Sequence, residues 1–203
     1  MSNCHTRRFL LCHLATMPLG HFSPAQPLQY AEVSTGINVP EWDGGRTGLT
    51  IADLNQDGHP DLVSVGDHGS PNIGTDMHGI TVWFGDGANN YSLFQNGDFG
   101  YGGIAIGDLD NDGLPDAAYS VHHNYSATDF GDQLMEAALG DGTGKSWTPW
   151  DDGLGADGQD YGMFGTILAD FDADGLLDIA ANAFGYDDGV HAYLNGANGA
   201  WYH

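Results

Sequence analysis

The chain has 203 residues, enough to bury one sizeable core, and a formal net charge of −24 from 28 acidic and only 4 basic residues. This acidity argues against nucleic acid and anionic membrane surfaces as partners, because like charges repel. No apolar run is long enough to span a membrane. The only cysteines, Cys4 and Cys12, exclude any disulfide or thiolate metal site beyond residue 12.

Residues 1–27 differ in composition from the rest of the chain. Arg7 and Arg8 precede a short apolar run at residues 9–17, and a proline-rich stretch with small residues near Ala25 follows. This order is typical of a secretory signal peptide, and a disordered leader is the alternative. We therefore expect a secreted protein that works outside the cell or at its surface.

From residue 28 onward, short runs rich in β-branched and aromatic residues alternate with Gly and Asp. Such runs predict strands of an antiparallel meander. They come in sets of four: residues 49–52, 62–65, 80–84 and 91–94; 104–106, 117–121, 134–139 and 147–150; 166–169, 179–183, 190–194 and a last run begun at 201–202.

Tandem four-stranded units of this length indicate the blades of a β-propeller. The predicted fold is all-β: a partial β-propeller of about three four-stranded antiparallel blades. The blade units are about 48–102, 103–164 and 165–203, and residues 30–42 form a lone outer strand of a further blade. Because propellers usually carry about four to eight blades, we expect the 203 residues to be a fragment of a longer protein.

A nine-residue loop lies between the first two strands of each unit. It has carboxylate or amide side chains at positions 1, 3, 5 and 9 and glycine at position 6. Calcium takes six to eight oxygen ligands, and the turn after the third ligand favours glycine. We predict three calcium sites that also use the main-chain carbonyl at position 7: Asp53, Asn55, Asp57, His59 and Asp61; Asp108, Asp110, Asp112, Leu114 and Asp116; Asp170, Asp172, Asp174, Leu176 and Asp178.

Other calcium-loop classes fit the sequence less well. An EF-hand needs a Glu at position 12 and flanking helices, whereas position 12 holds Ser64, Tyr119 and Ala181 between strand-like flanks. The loops begin 55 and 62 residues apart (53 to 108, 108 to 170). That spacing excludes dockerin-like pairs and nonapeptide repeats.

Residues 103–116, with the sequence GIAIGDLDNDGLPD, resemble the FG-GAP/VCBS repeat, the blade of integrin-α-like propellers. Phe164-Gly165 and Tyr101-Gly102 stand where the family's leading Phe-Gly falls. The Gly-Ala-Pro that names the repeat is missing after the second strand, which places the chain nearer the VCBS-type branch. The resemblance implies calcium in the loop between the first two strands of each blade.

The length-variable loops at the opposite end of the blades are the predicted ligand surface, since function tends to lie on such loops. We expect a protein or glycan ligand there, with aromatic side chains as stacking platforms. The residues concerned are His68, His78, His122, His123, Tyr125, Tyr161 and Tyr186. A transition-metal site at His122 and His123 with Asp129 or Asp132 is a further hypothesis.

The sequence contains no nucleophile elbow, phosphate loop or His-Glu zinc motif. We therefore expect a non-enzymatic, calcium-stabilised module for adhesion or for protein or glycan binding. One alternative is the propeller portion of a secreted polysaccharide-active enzyme, a lyase or hydrolase. A second alternative is a repeat spacer without a ligand.

Overall fold

The computed structural model describes residues 29, 31–32, 35–38, 48–65, 79–97, 102–120, 133–155, 163–183 and 189–203. The chain divides into two units, Met1–Glu32 and Val33–His203, and all of the described strands lie in the second. No helix in the described part of the chain has the length and apolar character needed to cross a membrane.

In the described residues, twelve strands form three four-stranded antiparallel sheets, each a simple meander in chain order. This confirms the predicted all-β architecture and the grouping of strands in fours. The strands are β1 Gly48–Ala52, β2 Asp61–Val65, β3 Gly79–Gly85 and β4 Tyr91–Gly97; β5 Ile104–Gly107, β6 Asp116–Ser120, β7 Met135–Gly140 and β8 Trp147–Pro149; β9 Met163–Ala169, β10 Asp178–Ala183, β11 Gly189–Asn195 and β12 Trp201–Tyr202.

The sheets meet along their first strands, with β5 next to both β1 and β9. Glycine permits this close approach. A Cβ on Gly103 would lie 2.6 Å from the Cα of Gly165, so any larger residue would force the two strands apart. Sheets packed side by side in this way are consistent with propeller blades, and those in the described residues do not close into a ring.

Two apolar clusters hold the three sheets together. The first joins sheet 1 (β1–β4) to sheet 2 (β5–β8), and the second joins sheet 2 to sheet 3 (β9–β12). We call the faces of sheets 1 and 2 that pack on the next sheet in the chain trailing faces, and the faces of sheets 2 and 3 that pack on the previous sheet leading faces. Trp147 lies in the first cluster and Trp150 packs against the second, so both tryptophans pack between neighbouring sheets.

The predicted lone outer strand at residues 30–42 is not seen as a strand in its described residues. Thr35 makes one isolated parallel bridge to Asn90, and its carbonyl accepts the Tyr91 amide at 2.9 Å. Asp152, just after sheet 2, makes the same bridge to Ala200. Thr35 thus occupies the position that follows an outer strand, and the prediction remains open where residues 30, 33–34 and 39–42 lie outside the described part.

Candidate metal centre

The three nine-residue loops, residues 53–61, 108–116 and 170–178, connect the first two strands of each sheet. We call them loops 1, 2 and 3. Their fourth and sixth residues have positive φ, as at Asn111 (61°) and Gly113 (88°) in loop 2. A Cβ on Gly113 would meet no atom within 4 Å. Glycine at position 6 is therefore required by the backbone conformation rather than by lack of space.

The side chains at positions 1, 3 and 5 fold inward onto the amides of their own loop. In loop 2, the Asp108 carboxylate accepts hydrogen bonds from the amides of Asp112 (3.0 Å) and Gly113 (2.9 Å). Asp110 accepts from the Asp112 amide at 3.1 Å, and Asp112 accepts from the Leu114 amide at 2.7 Å. The same four bonds recur at 2.8–3.1 Å in loop 1 and at 2.8–3.2 Å in loop 3.

The aspartate at position 9 is buried in all three loops and links the loop to the sheet. In loop 2, one oxygen of Asp116 accepts the Leu109 amide at 2.7 Å and the other accepts the Gly140 amide at 2.8 Å. Leu109 is in the loop and Gly140 ends β7, so this carboxylate joins the loop to the third strand. Asp61 and Asp178 make the equivalent pairs of bonds.

Two of the loops bring three carboxylates together. In each trio, one oxygen per residue lies within 4.8 Å of the others: Asp108, Asp110 and Asp116; Asp170, Asp172 and Asp174. Oxygens on one calcium ion at 2.3–2.6 Å stand at most about 5 Å apart. Both trios could therefore hold a hard cation.

Loop 1 provides no such carboxylate trio among the described residues, since its third position is Asn55. The Asn55 amide group donates a hydrogen bond to Asp57 at 3.0 Å. The side chains of this loop otherwise make the same hydrogen bonds to loop amides as those of the other two. Loop 1 thus offers one negative charge fewer to a cation.

Clustering without a cation is electrostatically unfavourable in loop 2. The pKa of Asp116 is raised to about 6, first by burial and also by the nearby Asp110 and Asp112 carboxylates, while the hydrogen bonds from the Gly140 and Leu109 amides oppose the shift. Burial likewise raises the pKa of Asp61 in loop 1. A divalent cation among these oxygens would remove the repulsion and favour the ionised carboxylates.

The loops lie at the same end of the sheets as the turns between third and fourth strands, as predicted. A single groove is lined by Asn55 and Asp57 from loop 1, Asp86 from the β3–β4 turn and Gly142 from the β7–β8 turn. Every residue predicted for the opposite, ligand-binding end lies outside the described residues. So do His122, His123, Asp129 and Asp132.

The structure adds a role for position 4 that sequence reasoning missed. Gln56 of loop 1 donates to the Gly113 carbonyl of loop 2 at 2.7 Å, and Asn111 of loop 2 donates to the Gly175 carbonyl of loop 3 at 3.3 Å. Each acceptor is the position-6 glycine whose amide binds the first aspartate of its loop. The only sequence feature that could have indicated these contacts is a side-chain amide at a loop position with no ligand role.

Asn195 is the last residue of β11, and no role was predicted for it from the sequence. Its buried amide group donates to the Leu109 carbonyl of loop 2 at 2.8 Å and to the Leu177 carbonyl of loop 3 at 3.1 Å. It therefore fixes loop 2 against loop 3. The other two sheets have glycine at this position, Gly85 and Gly140, and the exchange of glycine for asparagine was the signal in the sequence.

Comparison with known proteins agrees with this geometry. Residues 53–119 match the family described as the FG-GAP-like repeat. The matched segment runs from the first residue of loop 1, through the rest of sheet 1, to Tyr119 in β6. The comparison with curated proteins finds no match. Over residues 53–119, the chain is therefore similar to the FG-GAP-like repeat family.

Proposed function

We propose that the chain is a secreted calcium-binding β-propeller module in which calcium is structural. The observation that supports this most directly is the threefold recurrence of one hydrogen-bond network that points oxygen ligands inward in each loop. Oxygen donors without sulfur or nitrogen ligands suit a hard cation, and calcium tolerates an irregular set of six to eight.

In the proposed sites, each ion is held by the side chains at positions 1, 3, 5 and 9 and by the carbonyl at position 7. Those carbonyls belong to His59, Leu114 and Leu176. Eleven of the 28 acidic residues lie in the loops, and three ions would change the net charge from −24 to −18 (−24 + 6). The ion neutralises carboxylates that the fold has brought together and fixes the hairpin between the first two strands.

The expected stabilisation follows from mass action. With a Kd of about 0.1–1 mM, millimolar calcium stabilises the fold by roughly 0.4–1.4 kcal/mol per site. For a chain of this size, three such sites raise Tm by about 2–17 °C. Extracellular calcium is in this range, which agrees with the proposed secretion.

The test is thermal unfolding of the chelated protein during calcium titration, with magnesium in parallel. Asp110→Asn and Asp172→Asn each remove one carboxylate from a trio and should reduce the rise in Tm. Asp86→Asn is the matched control, because Asp86 is an exposed acid outside the loops. A Tm unchanged by calcium, or lowered responses in the control alone, would contradict the proposal.

The second part of the proposal concerns the partner. FG-GAP-like repeats often form adhesion or binding modules, so we propose that the module binds a protein or glycan through the loops opposite the calcium sites. A glycan array and a protein-binding screen, each with and without calcium, test this. Calcium-dependent release of sugar products would instead favour the polysaccharide-active enzyme.

A further inference from the structure

The buried side chain of Asn195 holds two different loops at once. Asn195 ends β11 and is 5% exposed. Its amide group donates to the carbonyls of Leu109 in loop 2 (2.8 Å) and Leu177 in loop 3 (3.1 Å). Its side-chain oxygen accepts the Ala197 amide at 3.0 Å. Because the nitrogen and the oxygen are both bonded, a rotation of this side chain would leave buried polar groups unpaired.

Asn195 also completes a path of hydrogen bonds between the position-9 carboxylates of loops 2 and 3. Its backbone amide donates to Asp178 of loop 3 at 2.9 Å. The Leu109 carbonyl accepts its side chain, and the Leu109 amide donates to Asp116 of loop 2 at 2.7 Å. All three bonds are buried, so water competes little for them. Two proposed calcium ligands in different sheets are thus joined through only two residues.

Loops 1 and 2 have no counterpart of this link in the described residues. The equivalent position of sheet 2 is Gly140, where a Cβ would lie 2.2 Å from the Pro115 carbonyl oxygen. In loop 3 the residue corresponding to Pro115 is Leu177, and its carbonyl accepts the Asn195 side chain instead. Loop 1 is joined to loop 2 by the exposed bond of Gln56, for which water can compete. The buried link therefore distinguishes the pair formed by loops 2 and 3.

We propose that Asn195 couples calcium binding at loops 2 and 3, so that an ion in either loop raises the affinity of the other. This proposal rests on the calcium function proposed above. An ion in loop 3 would fix Asp178, and through Asn195 it would fix Leu109, which lies between Asp108 and Asp110. Loop 2 would then lose less conformational freedom when its own ion binds, and by linkage the effect is the same in the opposite direction.

The first measurement is a calcium titration that reports each loop separately. The backbone amides of Gly113 and Gly175 donate to the first aspartates of loops 2 and 3, at 2.9 and 3.1 Å, so their NMR signals should follow the ion in each loop. Asp172→Asn removes one carboxylate from loop 3 alone. It should raise the calcium Kd of loop 2 by about fivefold, and Asp110→Asn should raise the Kd of loop 3 by the same factor. An unchanged Kd in the other loop overturns the proposal.

Asn195→Gly tests whether the asparagine side chain carries the coupling. Glycine stands at the equivalent positions in sheets 1 and 2, and the amides of Gly85 and Gly140 still donate to the position-9 aspartates at 2.9 and 2.8 Å. The variant therefore removes the side chain and keeps the backbone bond to Asp178. In this background, Asp172→Asn should change the Kd of loop 2 by less than about twofold. Coupling that persists unchanged would come from electrostatics between the sites, and it overturns the proposal.

Two matched controls separate this path from its surroundings. Asn198→Gly makes the same exchange in the exposed turn between β11 and β12, and Asn111→Ala removes the exposed 3.3 Å bond from loop 2 to loop 3. Both controls should retain most of the coupling, and its complete loss in either one overturns the proposal. Asn195→Ala, which has a Cβ but no group to donate, should behave like Asn195→Gly.

Folding and calcium binding are checked independently of the coupling. Circular dichroism and Tm in excess chelator show whether each variant is folded. Glycine signals of the parent chain that do not respond to calcium would contradict the calcium sites themselves. Calcium binding without coupling overturns this proposal alone.

Discussion

The buried aspartate at position 9 gives a prediction about stability that can be made without any metal. Asp178 is buried and accepts two amides, from Phe171 at 2.7 Å and from Asn195 at 2.9 Å. Asp178→Ala would leave both donors without an acceptor, the Asn195 amide in a buried position and the Phe171 amide in a partly buried one. A buried unsatisfied amide costs about 1–3 kcal/mol and water can partly satisfy the other, so the expected loss is about 1–3 kcal/mol.

Asp86 provides a control that differs chiefly in burial. Its carboxylate also accepts two backbone amides, from Ala88 at 2.7 Å and Asn90 at 3.0 Å, together with the Asn90 side-chain amide at 2.7 Å, but the side chain is exposed. Water can replace the carboxylate in Asp86→Ala, so the expected loss is clearly smaller than for Asp178→Ala.

The assay is urea unfolding in excess chelator, followed by the fluorescence of the tryptophans between the sheets. The free energy of unfolding of both variants is compared with that of the parent chain. The conservative variant Asp178→Asn retains one acceptor oxygen and should fall between parent and alanine variant. Equal losses for Asp178→Ala and Asp86→Ala would refute the view that position 9 braces the loop against the third strand.

Three further predictions concern the ions and the charged groups near them. Asn55→Asp completes the carboxylate set of loop 1 and should lower the calcium Kd of that loop by several-fold. Calorimetry measures this change, with Asp86→Asn as the control. An unchanged Kd would mean that Asn55 is not a ligand. In the calcium-free protein, the raised pKa of Asp116 stabilises the fold at low pH, and this contribution is lost as pH rises through about 6. Calcium needs the ionised carboxylate, so the rise in Tm that it causes should be smaller at about pH 5 than at about pH 7.5, and Asp116→Asn should flatten this difference. The Lys145 ammonium lies over the rings of Phe84 (5.3 Å) and Phe94 (5.7 Å). Lys145→Ala should therefore destabilise the fold by about 0.5–1 kcal/mol, while Lys145→Arg should not. Equal losses in both variants would exclude the cation–π contact.

Sequence reasoning reached the strands and the loops because both depend on short-range patterns. The spacing of Asp108, Asp110 and Asp112 is visible within five residues, and the apolar runs around it fix the flanking strands. The second role of Asp116 was not predictable, since its partner Gly140 is 24 residues away and meets it only through the pairing of β6 with β7. Contacts between two sheets cannot be predicted from the sequence, because they depend on how the sheets pack against each other.

Residues 30–42 show the same limit in a different way. They were predicted to form a lone outer strand, and that prediction stays open, since the described contacts are the bridge from Thr35 and the hydrogen bond from the Trp83 indole to the Asn38 carbonyl. A strand depends on a neighbouring edge as well as on its own composition, and the sequence does not show which edge is available.

The amide bonds from Gln56 to Gly113 and from Asn111 to Gly175 would let one ion-filled loop order the next. An ion in loop 2 would fix the position of Gly113, which accepts the hydrogen bond from Gln56. An ion in loop 3 would likewise fix Gly175, which accepts the hydrogen bond from Asn111. The calcium occupancy of the three loops would then rise steeply over a narrow range of calcium concentration. The three loops would become rigid together over that same range. In loop 3 the fourth position is Ala173, whose side chain has no amide group to donate. Loop 3 therefore cannot pass this effect to a further loop through its fourth residue.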